Sequence, residues 1–229
     1  HKIHEGEQIA LDNKSMDFFF LKRYDANIIT RVLLALIQEK LPKFVDARPY
    51  DIQVLTPMRK GTLGVEMLNQ ILQQYLNPPS DKKMQISHGD GILREGDKVM
   101  QIKNYEQVNN GDVGYIQTIT GDENDATVVI DFGDGRIMEY ENDQLKMLDL
   151  GYASTIHKSQ GAQYKSVIMN LQCAHAIMLI RAIVYTAITR ARLRLMIVGE
   201  RKALCRAIRN TKADQRGTRL ARRIQDFLQ

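Results

Sequence analysis

The chain has 229 residues, 44% of them hydrophobic and 26% charged, the make-up of an ordinary globular protein with room for one or two cored domains. No apolar run reaches the roughly 20 residues of a membrane span, and nothing at the start resembles a signal peptide, so a cytoplasmic protein without a membrane partner is expected. The net charge of +5 is uneven: nine Lys or Arg face two Asp from Arg201 to Gln229, which leaves the rest slightly acidic.

Cys173 and Cys205 stand far apart and form no CxxC or Cys/His pattern, so they read as reduced thiols and not as zinc ligands or a disulfide. The opening His1-Lys2-Ile3-His4-Glu5-Gly6-Glu7 lacks an initiator Met and reads as the interior of a longer chain.

Asp17 to Arg23 is a short apolar run ending in charge, which suits a buried strand. Asn27 to Lys40 repeats Ile28, Val32, Leu33, Leu36 and Ile37 at helical spacing, with Pro42 expected to break it. Asp51 to Thr56 suits a second strand, and Gly64 to Leu76 a second helix that Asn77-Pro78-Pro79 ends. This alternation argues for an α/β layer with a parallel sheet.

From 88 to 148 the texture changes to short β-type runs divided by turn residues, as in a small β-barrel. Asp134-Gly135 between alternating runs is a hairpin signal, because a type I′ turn needs positive φ at both central residues. Alternation then resumes with a strand near Lys165 to Leu171, a helix from about Ala176 to Thr189, a strand Leu193 to Val198 and terminal helices. The barrel therefore divides one α/β domain into parts at 1–87 and 149–229. Leu220, Ile224 and Phe227 or Leu228 give the basic tail an apolar stripe, so it either docks as a helix with a solvated charged face or holds phosphates.

Three stretches carry chemistry. Gly151 to Tyr164 offers Ser154 and Thr155 as a helix N-cap, then a very short helix with an imidazole and an ammonium, then Gly161 for a tight turn. Such a turn suits phosphate oxygens, and a capped surface turn is the plainer alternative. Tyr185 to Arg192 runs into an apolar strand. Arg190 there is either a helix-end charge on the last carbonyls or a guanidinium that reaches a transferring phosphoryl group. Gln53 to Gly64 is a strand followed by a Pro/Gly turn with Arg59 and Lys60, where open parallel sheets bind ligands, or where a rim charge simply sits in water.

Taken in order, these stretches resemble superfamily 1B DNA helicases of the RecD/TraA type. In that family LTPMRKGxxGxxxLN, GYAxTxHKSQGxxY and YTAITRA are ordered motifs, and Arg94 to Asn104 with Asn110 to Ile116 resembles the start of an inserted SH3-like barrel. The resemblance implies an α/β fold, a RecA-like parallel sheet flanked by helices with an inserted small SH3-like β-barrel. It further implies the C-terminal half of an ATP-dependent 5′-to-3′ DNA helicase of DNA repair or recombination. Carried over by position, Arg190 and Arg59 would approach the ATP γ-phosphate, Gly161 and Gln163 would lie beside the nucleotide, and Thr155, His157 and Lys158 would face single-stranded DNA. The family usually has Glu at the place of Gln163; an amide still hydrogen-bonds a hydroxyl but lacks the charge.

No GxxxxGK[ST] loop and no Asp-Glu pair at the end of an apolar strand occurs in the sequence. The resemblance assigns both, and with them most of the ATP and Mg²⁺ site, to a first motor domain upstream, so this chain alone is expected to be inactive. RecBCD-like subunits are partners that the motifs leave open. The alternative is a non-catalytic nucleic-acid or protein binding module built on the barrel and the tail. Tyr152 and Tyr164 are the aromatic candidates for base stacking.

Overall fold

The computed structural model describes residues 2–45, 48–122 and 125–211. The tail with Leu220, Ile224, Phe227 and Leu228 lies outside the described residues.

A short helix α1 (Lys2–Glu5) precedes strand β1 (Phe18–Lys22). Helix α2 (Ala26–Ala35) starts at Asp25, whose side chain accepts from the Ile28 amide as an N-cap. It does not stop ahead of Pro42. A π-turn over Leu36–Lys40 loosens the hydrogen-bond ladder, and helix α3 (Leu41–Val45) follows with Pro42 in its first turn. The widened turn lies directly ahead of the proline, and the helix continues through it. Strand β2 (Ile52–Thr56) and helix α4 (Val65–Leu76) come next.

A hairpin of β3 (Gln85–His88) and β4 (Gly91–Arg94) leads into an antiparallel sheet of β5 (Lys98–Gln101), β6 (Val113–Thr120), β7 (Thr127–Asp131), β8 (Ile137–Glu141) and β9 (Leu148–Leu150). Burial alternates along β7 and β8, so one face of this small sheet encloses its own core around Val128, Ile130, Met138 and Tyr140. The turn from β7 to β8 places Asp134 at φ +55° and Gly135 at φ +77°, with the Arg136 amide donating to the Gly133 carbonyl at 3.0 Å. That is the two-residue positive-φ turn that Asp-Gly favours.

The chain returns to the α/β layer through β10 (Ala153–Thr155) and β11 (Tyr164–Leu171), then α5 (Arg181–Ile188), β12 (Ala191–Gly199) and α6 (Arg201–Arg209). The helix expected from Ala176 is shorter than its periodicity suggests. Leu179 and Ile180 leave helical geometry, and Asn210 holds the break, its side chain donating to Leu179 O and its carbonyl accepting from the Arg181 amide.

The large sheet has the order β1-β12-β11-β2-β10, and its neighbouring strands all run parallel. Its central strands are buried on both faces, as such sheets require. One face packs under α5 and α6 through Leu171, Val184, Ile197 and Leu204; the other packs under α2 and α4 through Ile29, Leu33, Leu68 and Leu72. The fold is a RecA-like parallel sheet flanked by helices, with an SH3-like barrel inserted between β2–α4 and β10.

Candidate functional site

A parallel sheet has two unlike rims, and the motif residues divide between them. Thr155 ends β10, and it pairs with Thr56 at the end of β2, so both stand at the carboxyl rim. Tyr164 pairs with Ala191 at the opposite, amino rim. Residues 156–163 therefore run from one rim to the other. At about 3.3 Å per residue, the strand between Tyr164 and Leu171 separates the rims by roughly 20 Å. The stretch Gly151 to Tyr164 thus presents its first half and its last half to different surroundings.

No α-helix forms after Ser154. Ser154 and Thr155 finish a strand, and the buried Ser154 hydroxyl has no partner among the described residues. Thr155 does act locally as a cap: its hydroxyl accepts from the Lys158 amide at 3.2 Å and its carbonyl from the Ser159 amide at 3.2 Å. His157 is exposed, and the Lys158 ammonium pairs with Asp149 at 3.3 Å. Gly161 sits at φ +88° with nothing within 4 Å of where a Cβ would point, so its backbone is open to a close approach. Gln163, beside it, is exposed.

Arg190 lies at the amino rim, just before β12. Its guanidinium donates to Ala162 O at 2.9 Å, to Thr186 O at 3.1 Å and to the Thr189 hydroxyl at 3.0 Å. Tyr164 N in turn donates to Arg190 O at 2.9 Å. The end of α5 and the Gly161–Gln163 turn are therefore joined through one side chain. Tyr164 packs beside this knot; burial pushes its hydroxyl up to about 12, against the opposing pull of Arg190. A cleft of about 370 Å³ opens here between Ala162, Gln163, Tyr164, Lys165 and Arg192 on one wall and Lys98, Asp112 and Tyr115 of the barrel on the other.

Arg59 does not join them. It follows β2 at the carboxyl rim, pairs with Glu66 at 2.9 Å, and lines a separate cleft of about 190 Å³ together with Thr155, Lys158, Gln70 and His88. Parallel strands put Arg59 and Arg190, both expected beside the ATP γ-phosphate, at opposite ends of the sheet in this chain. Tyr152 is 3% exposed and so does not present a ring for base stacking. Among the described residues, no three His, Cys, Asp or Glu side chains gather as a metal site, and no helix is long and apolar enough to cross a membrane.

Sequence reasoning missed the polar side chains that aim the strand β10. Asn69 on α4 accepts from the Ala153 amide at 2.6 Å and donates to the carbonyls of Leu150 and Ala153. Gln53 donates to the carbonyls of Gly151 and Tyr152 at 3.2 and 3.3 Å. Their one signal was a polar residue on an otherwise apolar face.

Residues 68–132 match the family model of the ATP-dependent RecD-like DNA helicase SH3 domain, and residues 150–198 match that of the UvrD-like helicase C-terminal domain. The chain belongs to the RecD-like helicases. It is 40% identical over 179 residues to the ATP-dependent RecD2 DNA helicase of Deinococcus radiodurans, covering 77% of this chain and 24% of that protein. It is 28% identical to the RecBCD enzyme subunit RecD of Haemophilus influenzae, covering 77% of this chain and 25% of that subunit. The chain thus spans about a quarter of the length of these curated relatives. Among solved structures, a Pif1 helicase from Bacteroides in complex with ADP-AlF3 and ssDNA aligns at 17% identity and a TM-score of 0.49, covering 96% of this chain and 56% of that one.

Proposed function

We propose that this RecD-like chain is the second motor half of an ATP-dependent, 5′-to-3′ single-stranded DNA helicase, with its amino rim facing nucleotide and its carboxyl rim facing the DNA strand. The observation that carries the reading is the fastening of the Arg190 guanidinium to the Ala162 carbonyl at 2.9 Å. It holds a cation and the open Gly161–Gln163 backbone as one unit. Arg190 would neutralise charge building up on a transferring phosphoryl group, while the Gly161 amide and the Gln163 side chain approach the nucleotide. Gly161 leaves room for that approach, so these residues fit a nucleotide. Mg²⁺ would arrive with ATP and be held by the first motor domain, since its usual ligands are phosphate oxygens and one or two carboxylates.

At the other rim Thr155, His157 and Lys158, now joined by Arg59, would meet the phosphates of the strand. Lys158 and Arg59 are paired with Asp149 and Glu66, so binding a strand would exchange carboxylate partners for phosphate ones. The 5′-to-3′ polarity and the inactivity of this half alone rest on the family resemblance.

The reading is tested by comparing ATP turnover of the full-length protein with that of the 229-residue chain. Turnover stimulated by single strands in the full-length protein, and near-background turnover in the isolated chain, is expected. Robust DNA-stimulated hydrolysis by the isolated chain would overturn the half-site, and a full-length protein indifferent to DNA would favour a binding module.

A further inference from the structure

A polar cluster at the junction of the barrel with the α/β layer holds a buried carboxylate that lines neither rim cleft. At its centre is Asp97, one residue before β5 and fully buried. One carboxylate oxygen accepts from Asn77 Nδ2 at 2.7 Å and from the Tyr152 hydroxyl at 2.9 Å. The other accepts from Gln73 Nε2 at 2.5 Å and from the Arg94 amide at 2.8 Å. Gln73 and Asn77 belong to the last turn and cap of α4, Arg94 to the hairpin, and Tyr152 to the run of chain that becomes β10. Burial holds the Asp97 carboxyl above the usual carboxylate range, against the pull of these hydrogen bonds. Next to it Lys98, 2% exposed, extends to the carbonyl of Ile52 at the start of β2 at 3.1 Å.

An ionisable pair of neighbours buried in this way is a poor means of gaining stability, because an apolar contact of equal size avoids the desolvation penalty. What it provides is direction. An apolar contact tolerates sliding, whereas four donors converging on two oxygens admit one arrangement. Three of those donors come from outside the barrel, and one of them is the second residue of the Gly151–Tyr164 stretch. We infer that Asp97 is a positioning residue, which locks the barrel through Tyr152 to the strand carrying Thr155, so that His88 and Ile92 of the hairpin are held in register with Arg59, Thr155 and Lys158 along the cleft they line together, where one DNA strand would meet both. The inference rests on the motor reading above and deepens it: the barrel and Thr155 read one continuous single strand.

The test uses the full-length protein with Tyr152→Phe, which removes one hydroxyl, and Asp97→Asn, which turns an amide N–H₂ toward two donors. Tyr140→Phe serves as the comparison, because its hydroxyl is as deeply buried and bonds Gln101 at 2.9 Å but stays within the barrel. The readouts are the oligo(dT) concentration giving half-maximal ATP turnover, kcat at saturating oligo(dT), and Tm. Tyr152→Phe is expected to raise the half-saturating concentration about 5-fold or more with a smaller change in kcat, an effect of the size that coupled sites show. Tyr140→Phe is expected to lower Tm without moving that concentration. Equal half-saturation in Tyr152→Phe, Tyr140→Phe and the unsubstituted protein would overturn the inference, whatever their Tm values. Should Asp97→Asn fail to fold, Tyr152→Phe decides alone. An unsubstituted protein with no oligo(dT)-stimulated turnover would overturn the motor reading itself, and the inference with it.

Discussion

Lys98 carries a quantitative prediction about stability. Complete burial lowers its ammonium from the ordinary lysine value of 10.5 to about 7, against a smaller raising effect of Asp51. Between those two values the unfolded chain binds a proton that the native chain releases, so stability must rise with pH across this window. For a group at about 7 folded and 10.5 unfolded, the burden at pH 7 is about 4 kcal/mol, and about 2 kcal/mol of it is relieved by pH 9.

Replacing Lys98 with Met keeps the volume and removes the titration. The hydrogen bond to Ile52 O is lost as well, but the neutral amine donates it too, so that loss is a constant offset. Urea unfolding of both proteins at pH 7, 8 and 9 and fixed ionic strength should show the unsubstituted protein gaining on Lys98→Met by about 2 kcal/mol over the range. Asp97, Tyr140 and Tyr164 titrate alike in both and cancel in the difference. Parallel curves, or a gap that closes in the other direction, would refute the burial argument.

Two further outcomes separate the rims. In the full-length protein Arg190→Ala should lower kcat by about 10³-fold or more, the range of arginine fingers, while largely sparing affinity for single strands. An unchanged kcat would remove Arg190 from the reaction. Arg59→Ala should do the reverse, weakening single-strand affinity and flattening its logarithmic salt dependence by about 0.7 for one lost phosphate contact, with kcat at saturating DNA within about 3-fold. A collapse of kcat in Arg59→Ala would return that residue to the nucleotide.

The contiguous parts of the chain were readable because their causes are local. The period of Val65, Leu68, Leu72 and Leu76 made α4 visible, and Asp134-Gly135 marked its hairpin, since each depends on neighbours a few residues away. Failures arose where a distant partner overrode local preference. Asn210 interrupts a helical pattern around Leu179, 31 residues earlier. Ser154 and Thr155 have the look of a helix cap, yet pairing with Leu55 and Thr56 makes them the end of a strand.

From its amino acids alone this chain declared an α/β layer, an inserted small barrel and three ordered motifs of a RecD-like helicase. Those features are written in periodicity, turn chemistry and short spacings. The tertiary structure decided how the motif residues are shared out. Because every pairing in the large sheet is parallel, Thr155 and Arg59 meet at one rim, while Arg190 and Gly161 meet at the other. It also decided that Asp97 gathers Gln73, Asn77 and Tyr152, residues 20 to 55 positions away in sequence. Which residues share a rim and which long-range hydrogen bonds form have no local signature, so only the folded chain shows them.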